Sequence, residues 1–122
     1  MKVEVCWENE THSVLRCTLS GDWDWAEFYR VIDQETLFRE PGDPCLIVDM
    51  RAVTHMPIDM VLHLKRAIQL ISKLKGLVVL IATSVTASTA YHAMITLYKP
   101  IAEKIRLVSN DQEAYAVLGL TF

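Results

Sequence analysis

The sequence lacks the residue patterns that mark most metal, redox and covalent-catalysis sites. Its three cysteines, Cys6, Cys17 and Cys45, are odd in number, and their spacing matches no C-x-x-C metal signature. The four histidines include no pair with the spacing and carboxylate of a zinc-binding helix. No G-x-S-x-G, P-loop or G-x-G-x-x-G sequence occurs. We therefore expect no metal, no cofactor and no catalytic residue, and we predict that the chain is not an enzyme.

The chain also lacks a basic excess and a long apolar run. Its 12 Lys and Arg residues against 15 Asp and Glu residues give a net charge of −3, whereas nucleic-acid binders need basic surfaces. The longest apolar run, residues 77–82, is far short of the roughly 20 residues that span a bilayer. No apolar stretch follows a basic start, as it does in a secretory signal. These absences predict a cytoplasmic protein with no transmembrane segment and no nucleic-acid partner.

What is present is patterned for a packed α/β core. Alternation over residues 3–8 and 15–20, around a turn at residues 9–10, predicts an antiparallel hairpin. Cys6 and Cys17 could face each other across this hairpin, although we expect all three cysteines to be reduced core residues. Hydrophobic composition of 52% in 122 residues is enough for one core, so residues 1–122 are predicted to form a single domain.

Residues 45–49 and 77–82 are apolar on both faces, which is typical of central, parallel strands. A helix predicted from about residue 59 to residue 75 joins them into a right-handed βαβ unit. Caps and helical periodicity predict further helices beginning near residues 24, 86 and 110, and a strand at residues 105–108. The predicted fold class is α/β, with a single mixed sheet of about five strands and about four helices in the order ββαβαβαβα.

This order and four local sequences resemble the STAS-like family (sulphate transporter and anti-sigma factor antagonist domains), in particular its divergent SpoIIAA-like branch. The local sequences are Gly21-Asp22-Trp23-Asp24-Trp25, Leu46-Ile47-Val48-Asp49 before a short loop and Pro57, Leu77-Val78-Val79-Leu80-Ile81, and Asp111-Gln112-Glu113-Ala114. The resemblance covers nearly the whole chain. It implies a mixed sheet with helices mainly on one face. It also implies a role in protein–protein regulation, transporter control or small-ligand sensing.

The sequence departs from the family at the serine that its anti-sigma antagonists phosphorylate. Placing Asp49 on the family's strand-end aspartate puts Pro57-Ile58-Asp59-Met60 where a motif resembling D-S-S-G belongs. Ile58 then occupies the position of the serine. We therefore expect no phosphoserine switch at this place, which weakens the case for partner switching.

Polar residues after the two central strands predict a small-ligand crevice, because parallel sheets bind ligands outside the carboxyl ends of their strands. Backbone amides at the start of the following helix offer anion contacts there. A structural interpretation is also open, in which the acid and the arginine satisfy loop backbone groups and a hydroxyl caps the helix. The candidate ligand-binding residues are Asp49, Arg51, Thr54, His55, Ser84 and Thr86.

Two further features have two interpretations each. The second and third predicted helices carry extra apolar residues, Leu62, Leu70 and Ile95, which form either an interface or contacts with neighbouring helices. Trp25 is expected in the core with Trp23 over the sheet edge, unless Trp23 lines a pocket with Tyr29.

The leading hypothesis is a non-enzymatic regulatory module of STAS-like fold that binds a protein partner, or itself, through its helical face. The alternative is a binder or sensor of a small apolar or lipid-like ligand, since the resemblance extends to relatives grouped with SEC14-type lipid carriers. Helices rich in methionine and aromatic residues suit such a cavity. A third hypothesis, an enzyme that uses Asp49 or His55, would be favoured by a strongly shifted pKa in the crevice.

Overall fold

The computed structural model of the chain describes residues 2–34, 44–55 and 60–119, except for the side chains of residues 32–34 and 60–61. Within these ranges the fold is α/β with one mixed five-stranded sheet and four α-helices, as predicted. A 3₁₀-helix, Lys99–Glu103, is added after the third helix. In chain order the elements are β1 (Val3–Trp7), β2 (Val14–Gly21), α1 (Trp25–Gln34), β3 (Cys45–Val53), α2 (Met60–Lys73), β4 (Val78–Ile81), α3 (Val85–Leu97), β5 (Ile105–Val108) and α4 (Asp111–Leu118).

The strands lie side by side in the order β1-β2-β3-β4-β5. β1 is antiparallel to β2, and each later pair is parallel. Because parallel crossovers are right-handed and each moves one strand further along, α1, α2 and α3 all pack on the same face of the sheet, here called the helical face. α4 packs alone on the opposite face, around the fully buried Ala114, Ile47 and Val79.

The hairpin of β1 and β2 places two cysteines on opposite faces. Val5 pairs with Cys17, whereas Cys6 pairs with Arg16. Cys17 is completely buried on the helical face, and Cys6 is exposed on the other. The expectation that all three cysteines lie in the core is wrong for Cys6, since alternation in a strand sends neighbouring positions to opposite faces.

The first helix begins as its cap sequence predicts, but only half of the reciprocal capping box forms. The Asp24 carboxylate accepts a hydrogen bond from the Glu27 backbone N–H at 2.8 Å. The Glu27 carboxylate accepts instead from the N–H of Val3, at 3.3 Å. The glutamate therefore ties α1 to the edge strand β1. Gly21, at φ +59°, provides the left-handed backbone that ends β2 before this turn.

The last part of the chain differs from its periodicity in two places. α3 ends at Leu97, and Pro100 lies in the first turn of the 3₁₀-helix, where its missing N–H costs nothing. Helical periodicity predicts that Leu97 lies on the side of α3 that faces the core. In the structure Leu97 is 66% exposed, and α3 ends at this residue. Val117 of α4 is likewise 37% exposed, whereas Ala114 is buried.

Alkylation should distinguish the cysteines in the native protein. Burial raises the pKa of the Cys17 thiol to about 12, so it stays protonated and shielded from reagents. We expect iodoacetamide to modify Cys6 in the folded state and Cys17 only after unfolding, measured by peptide mapping over a time course. A Cys6→Ser variant should lose the fast phase. Modification of Cys17 as fast as Cys6 would contradict the strand register.

Candidate functional site

A network of charged side chains occupies the half of the sheet that α4 leaves uncovered. Arg16 of β2 lies at its centre, on the face opposite α1, α2 and α3. The network joins β2, β3 and the residue after β1 to α4, and it contains three carboxylates and two guanidinium groups. We call it the Arg16 network; its members are Glu8, Arg16, Asp49, Arg51, Asp111 and Tyr115.

Arg16 uses its whole guanidinium group. It donates from Nε and Nη2 to the two oxygens of Glu8, at 2.8 and 3.0 Å, in the forked geometry that arginine and carboxylate share. Nη1 donates to Asp49 Oδ2 at 3.0 Å, and Nη2 also reaches Asp111 Oδ1 at 3.0 Å. Because its side chain is only 12% exposed, these contacts replace nearly all of its hydration.

Asp49 and Arg51 pair with each other along β3. The Asp49 carboxylate accepts from the backbone N–H and Nε of Arg51, each at 3.1 Å, and from its Nη2 at 2.8 Å. Arg51 Nη2 also donates to Asp111 Oδ1 at 2.9 Å. The acid therefore satisfies a backbone amide, as the structural interpretation expected. It also takes part in a tertiary network that spacing alone did not indicate.

The network shifts the pKa values of its acids in the direction that favours charge. Burial opposes ionisation of Asp49, but hydrogen bonds from Arg51 and the nearby arginine charges outweigh it and lower the pKa below 3.8. The pKa of Glu8 is lowered from 4.5, chiefly by the hydrogen bond from Arg16 and further by Tyr115, whose hydroxyl donates at 2.5 Å. An acid held ionised between arginines is a poor proton donor at neutral pH.

The predicted crevice residues fall into separate groups. Asp49 and Arg51 belong to the Arg16 network, while the exposed His55 contacts Thr54, with Nδ1 and Oγ1 3.3 Å apart. Ser84 caps α3 by accepting from the Ala87 N–H at 3.1 Å, and Thr86 is exposed in the first turn. Among the described residues, no hydrogen bond or ion pair joins these groups to one another. The position of Ile58, where the family serine would lie, is outside the described residues.

A cavity lies on the helical face, between the sheet and the three helices that cover it. Its volume is about 80 Å³. That is room for roughly six water-sized groups. The lining is almost entirely apolar, with Leu19 and Val48 from the sheet, Phe28 from α1, Leu70 from α2 and Met94 from α3. Sequence analysis indicated that helices rich in methionine and aromatic residues suit such a cavity, but it did not indicate where the cavity lies.

Two tryptophans close one side of this cavity, and both are buried. Trp23 is 3% exposed and Trp25 is 7% exposed, so Trp23 does not merely cover an edge. Their rings meet edge to face, with centroids 4.9 Å apart. Neither indole N–H has a hydrogen-bond partner within the described part of the chain. Buried donors are normally satisfied, so two side chains of the cavity lining carry indole N–H groups without a partner in the described part of the chain, and each of these nitrogens is itself buried.

Aromatic stacking joins Trp25 to α2, and Trp23 in turn packs against Trp25. The Trp25 ring stacks on the His63 imidazole with centroids 5.0 Å apart, and the Tyr29 hydroxyl lies 3.2 Å from His63 Nδ1. The Arg66 guanidinium carbon lies 3.7 Å from the centre of the Tyr29 ring. Tyr29 thus packs against Trp25 and is not part of the cavity lining, whereas one interpretation of the sequence places it with Trp23 in a pocket.

The predicted interface residues differ in exposure. Leu62 of α2 is 81% exposed and available to a partner. Leu70 is half-buried and lines the cavity, and Ile95 is half-buried against the core. Leu70 and Ile95 thus contact neighbouring elements, whereas an interface at the exposed Leu62 stays a prediction.

Sequence analysis missed most of the Arg16 network. The alternation of β2 predicts a polar side for Arg16 but does not indicate its partners. In the structure these are Glu8, which follows β1, and Asp49 of β3. An arginine in the middle of an eight-residue strand that joins the core is a usable signal, because a half-buried guanidinium needs carboxylates nearby. Asp111 and Tyr115 carried no such signal, since only the position of α4 brings them close.

Comparison with known proteins gives no family for this chain: no protein-family model matches it, and no curated protein matches its sequence. Among the described residues, no group of three or more His, Cys, Asp or Glu side chains is arranged so that it could hold a metal ion. No helix in that part of the chain combines the length and the apolar character needed to cross a membrane. The STAS-like resemblance therefore remains a prediction.

Replacing the central arginine should test the network by its effect on stability. An Arg16→Met variant leaves Glu8 without its main partner and removes one of the two arginines that bind Asp49, so we expect it to lower the free energy of unfolding by about 3 kcal/mol at pH 7. Urea denaturation followed by circular dichroism measures this. An Arg30→Met change on the exposed side of α1 is the control and should cost less than about 0.5 kcal/mol.

The difference in the free energy of unfolding between the wild type and Arg16→Met should depend on pH. Because the folded-state pKa values of Glu8 and Asp49 are lowered, their stabilisation is present above about pH 4.5 and is lost as the pH falls through the folded values. The difference between wild type and Arg16→Met should therefore shrink below pH 4. A difference independent of pH would show that packing, and not charge, dominates at Arg16.

Proposed function

We propose that this chain is a non-enzymatic regulatory module that binds a small, largely apolar molecule carrying one hydrogen-bond acceptor. The site is the cavity between the sheet and α1, α2 and α3. The observation that carries the proposal is that Trp23 and Trp25, two side chains of an otherwise apolar lining, each have a buried indole N–H without a partner among the described residues. The resemblance to the STAS-like family, whose members include small-ligand sensors, supports the same reading.

The size and lining of the cavity define the ligand class. A volume of about 80 Å³ is about half of the roughly 150 Å³ cavity that holds benzene, so it admits a molecule of about four non-hydrogen atoms and excludes a fatty acyl chain. The lipid-like alternative is thereby narrowed to very small molecules. A ketone, ester or ether oxygen can accept from an indole N–H, whereas an ionised ligand would lose its hydration in this lining. The expected ligand is therefore neutral and compact.

Energetics favour occupancy of such a site. An unfilled apolar cavity of about 80 Å³ costs about 2 kcal/mol at 24 cal/mol per Å³. Each buried donor without an acceptor costs about 1–3 kcal/mol more. A ligand that fills the volume and accepts one N–H bond recovers part of both costs, which accounts for an arrangement that a purely structural core would avoid.

Acetone and isobutane form a matched pair of probes, since they have the same number of non-hydrogen atoms but only the ketone accepts a hydrogen bond. We expect both to perturb methyl signals of the cavity lining, and only acetone to shift the indole ¹H–¹⁵N signal of Trp23 or Trp25, while Trp7 stays unchanged. Titration by nuclear magnetic resonance measures both effects, and Trp23→Phe and Trp25→Phe variants assign the signals.

A filled cavity provides the control for that experiment. Ala90 lines the cavity, so Ala90→Leu should weaken acetone binding at least tenfold. Ala116→Leu, on the exposed side of α4, adds the same atoms elsewhere and should leave binding unchanged. Equal shifts of the indole signals by both probes, or equal effects of both variants, would reject the proposal.

A second candidate function is protein interaction through the helical layer, and the exposure of Leu62 favours it. A leucine that is 81% exposed on a helix otherwise built around the core is a typical contact residue. If the chain associates with itself there, Leu62→Asp should convert a dimer to a monomer. Size-exclusion chromatography with light scattering measures the mass. Lys75→Asp, another exposed position beyond α2, is the control. A wild-type chain that is monomeric at every concentration would exclude self-association.

A further inference from the structure

A groove runs between the outer side of α2 and the end of α3, apart from both the cavity and the Arg16 network. Its volume is about 790 Å³. Lys65, Ile68 and Lys73 lie along one wall, on α2, and Leu97 and Tyr98 form the other. The residues of α2 that line the cavity occupy the opposite side of the same helix. The groove is therefore a surface feature with its own chemistry.

The α2 wall has a regular arrangement. Its groove-lining positions recur at intervals of three, four, seven and eight residues, which places them on one stripe of a helix. Lys65 and Lys73 mark the two ends of the stripe, roughly 12 Å apart along the helix axis at 1.5 Å per residue. Ile68 lies between them and is half-buried.

The opposite wall is apolar and unusually exposed. Leu97 is 66% exposed and Tyr98 is 45% exposed, where the chain leaves α3 for the 3₁₀-helix. Together with Ile68 they form an apolar patch between two lysines. One large apolar side chain of a partner suits this patch. Its burial removes from water both the apolar surface of that side chain and the apolar surface of the patch.

The two lysines have no counter-charge within the described part of the chain. Neither makes an ion pair or a hydrogen bond with a described residue, and both are exposed. Other cations are engaged: Arg16 and Arg51 by carboxylates, and Lys104 by the carbonyl oxygens at the end of α2. The groove is thus a local positive site on a chain whose net charge is −3.

We propose that this groove binds a short acidic segment of a partner protein, with one large apolar side chain between two carboxylates about 12 Å apart. Nucleic acid and anionic membranes fit less well, because they need a broad basic surface and the net charge of −3 repels them. The proposal names a partner for the helical layer. It is independent of the ligand in the cavity and of self-association through Leu62.

A fluorescein-labelled peptide with the core Glu-Ser-Leu-Ser-Glu is the probe, since its two carboxylates lie about 13 Å apart when extended. We expect saturable binding by fluorescence anisotropy that weakens as salt is raised. Replacing both glutamates by lysine, or the leucine by serine, should weaken binding at least tenfold. Acetone, the cavity probe, should not compete, which separates this site from the cavity.

Charge reversal of the groove gives the decisive comparison. Lys65→Glu combined with Lys73→Glu should weaken binding of the acidic peptide at least tenfold and create binding of the peptide with two lysines. That gain of binding also shows that the variant is folded. Arg30→Glu reverses a single exposed charge on α1 and should alter affinity less than twofold.

Three results would overturn the proposal. The first is no saturable binding of the acidic peptide, and the second is binding that the double charge reversal leaves unchanged. The third is adsorption to phosphatidylglycerol vesicles, lost in the double variant, without peptide binding, which would assign the groove to an anionic membrane surface instead.

Discussion

Right-handed crossover is the constraint on which the rest of this structure depends. Strands β2 to β5 are parallel and follow the chain order, so each connection must pass over the same face of the sheet. Three helices therefore crowd one face, and the other face receives only α4, with eight residues. A short helix cannot cover five strands. The uncovered part must be polar, and the Arg16 network occupies it with paired charges.

Crowding on the helical face explains the features proposed to carry function. Three helices packed side by side over a twisted sheet leave space where their axes diverge, and here that space is lined by aromatic and aliphatic side chains. α2 contributes one side of its surface to the cavity and another to the groove beside α3. The same helix thus separates an apolar interior site from a basic surface site. This arrangement places the two proposed sites within one helix diameter of each other, roughly 10 Å.

Periodicity predicted the fold well because local patterns follow directly from burial. Alternation located β1 and β2, continuous apolar runs located β3 and β4, and cap residues such as Asp24 and Asn110 marked the starts of α1 and α4. Errors arose where an element ends or lies at the border of the core, as at Leu97 and Val117. Periodicity assumes that a helix faces the sheet along its whole length, and these two residues lie where that contact stops.

The candidate sites were less accessible to sequence reasoning. Asp49 and Arg51 were identified from their place after a central strand, but their partners Arg16 and Asp111 lie 33 and 60 or more residues away in the chain. Contacts over such separations depend on strand order and on which face α4 covers. The unpartnered state of Trp23 and Trp25 is equally invisible locally, because a donor is satisfied or not only by what the fold brings near it.

By itself, then, the sequence determined the α/β class, the positions of its elements and the inward-facing sides of its strands, since each of these depends on the polarity of near neighbours. Only the tertiary structure decided that charges meet around Arg16, that two tryptophans without an N–H partner line a cavity, and that Lys65, Lys73 and Leu97 share a groove. Those arrangements depend on the packing of elements distant in the chain, and polarity patterns along the chain do not encode which distant elements will touch.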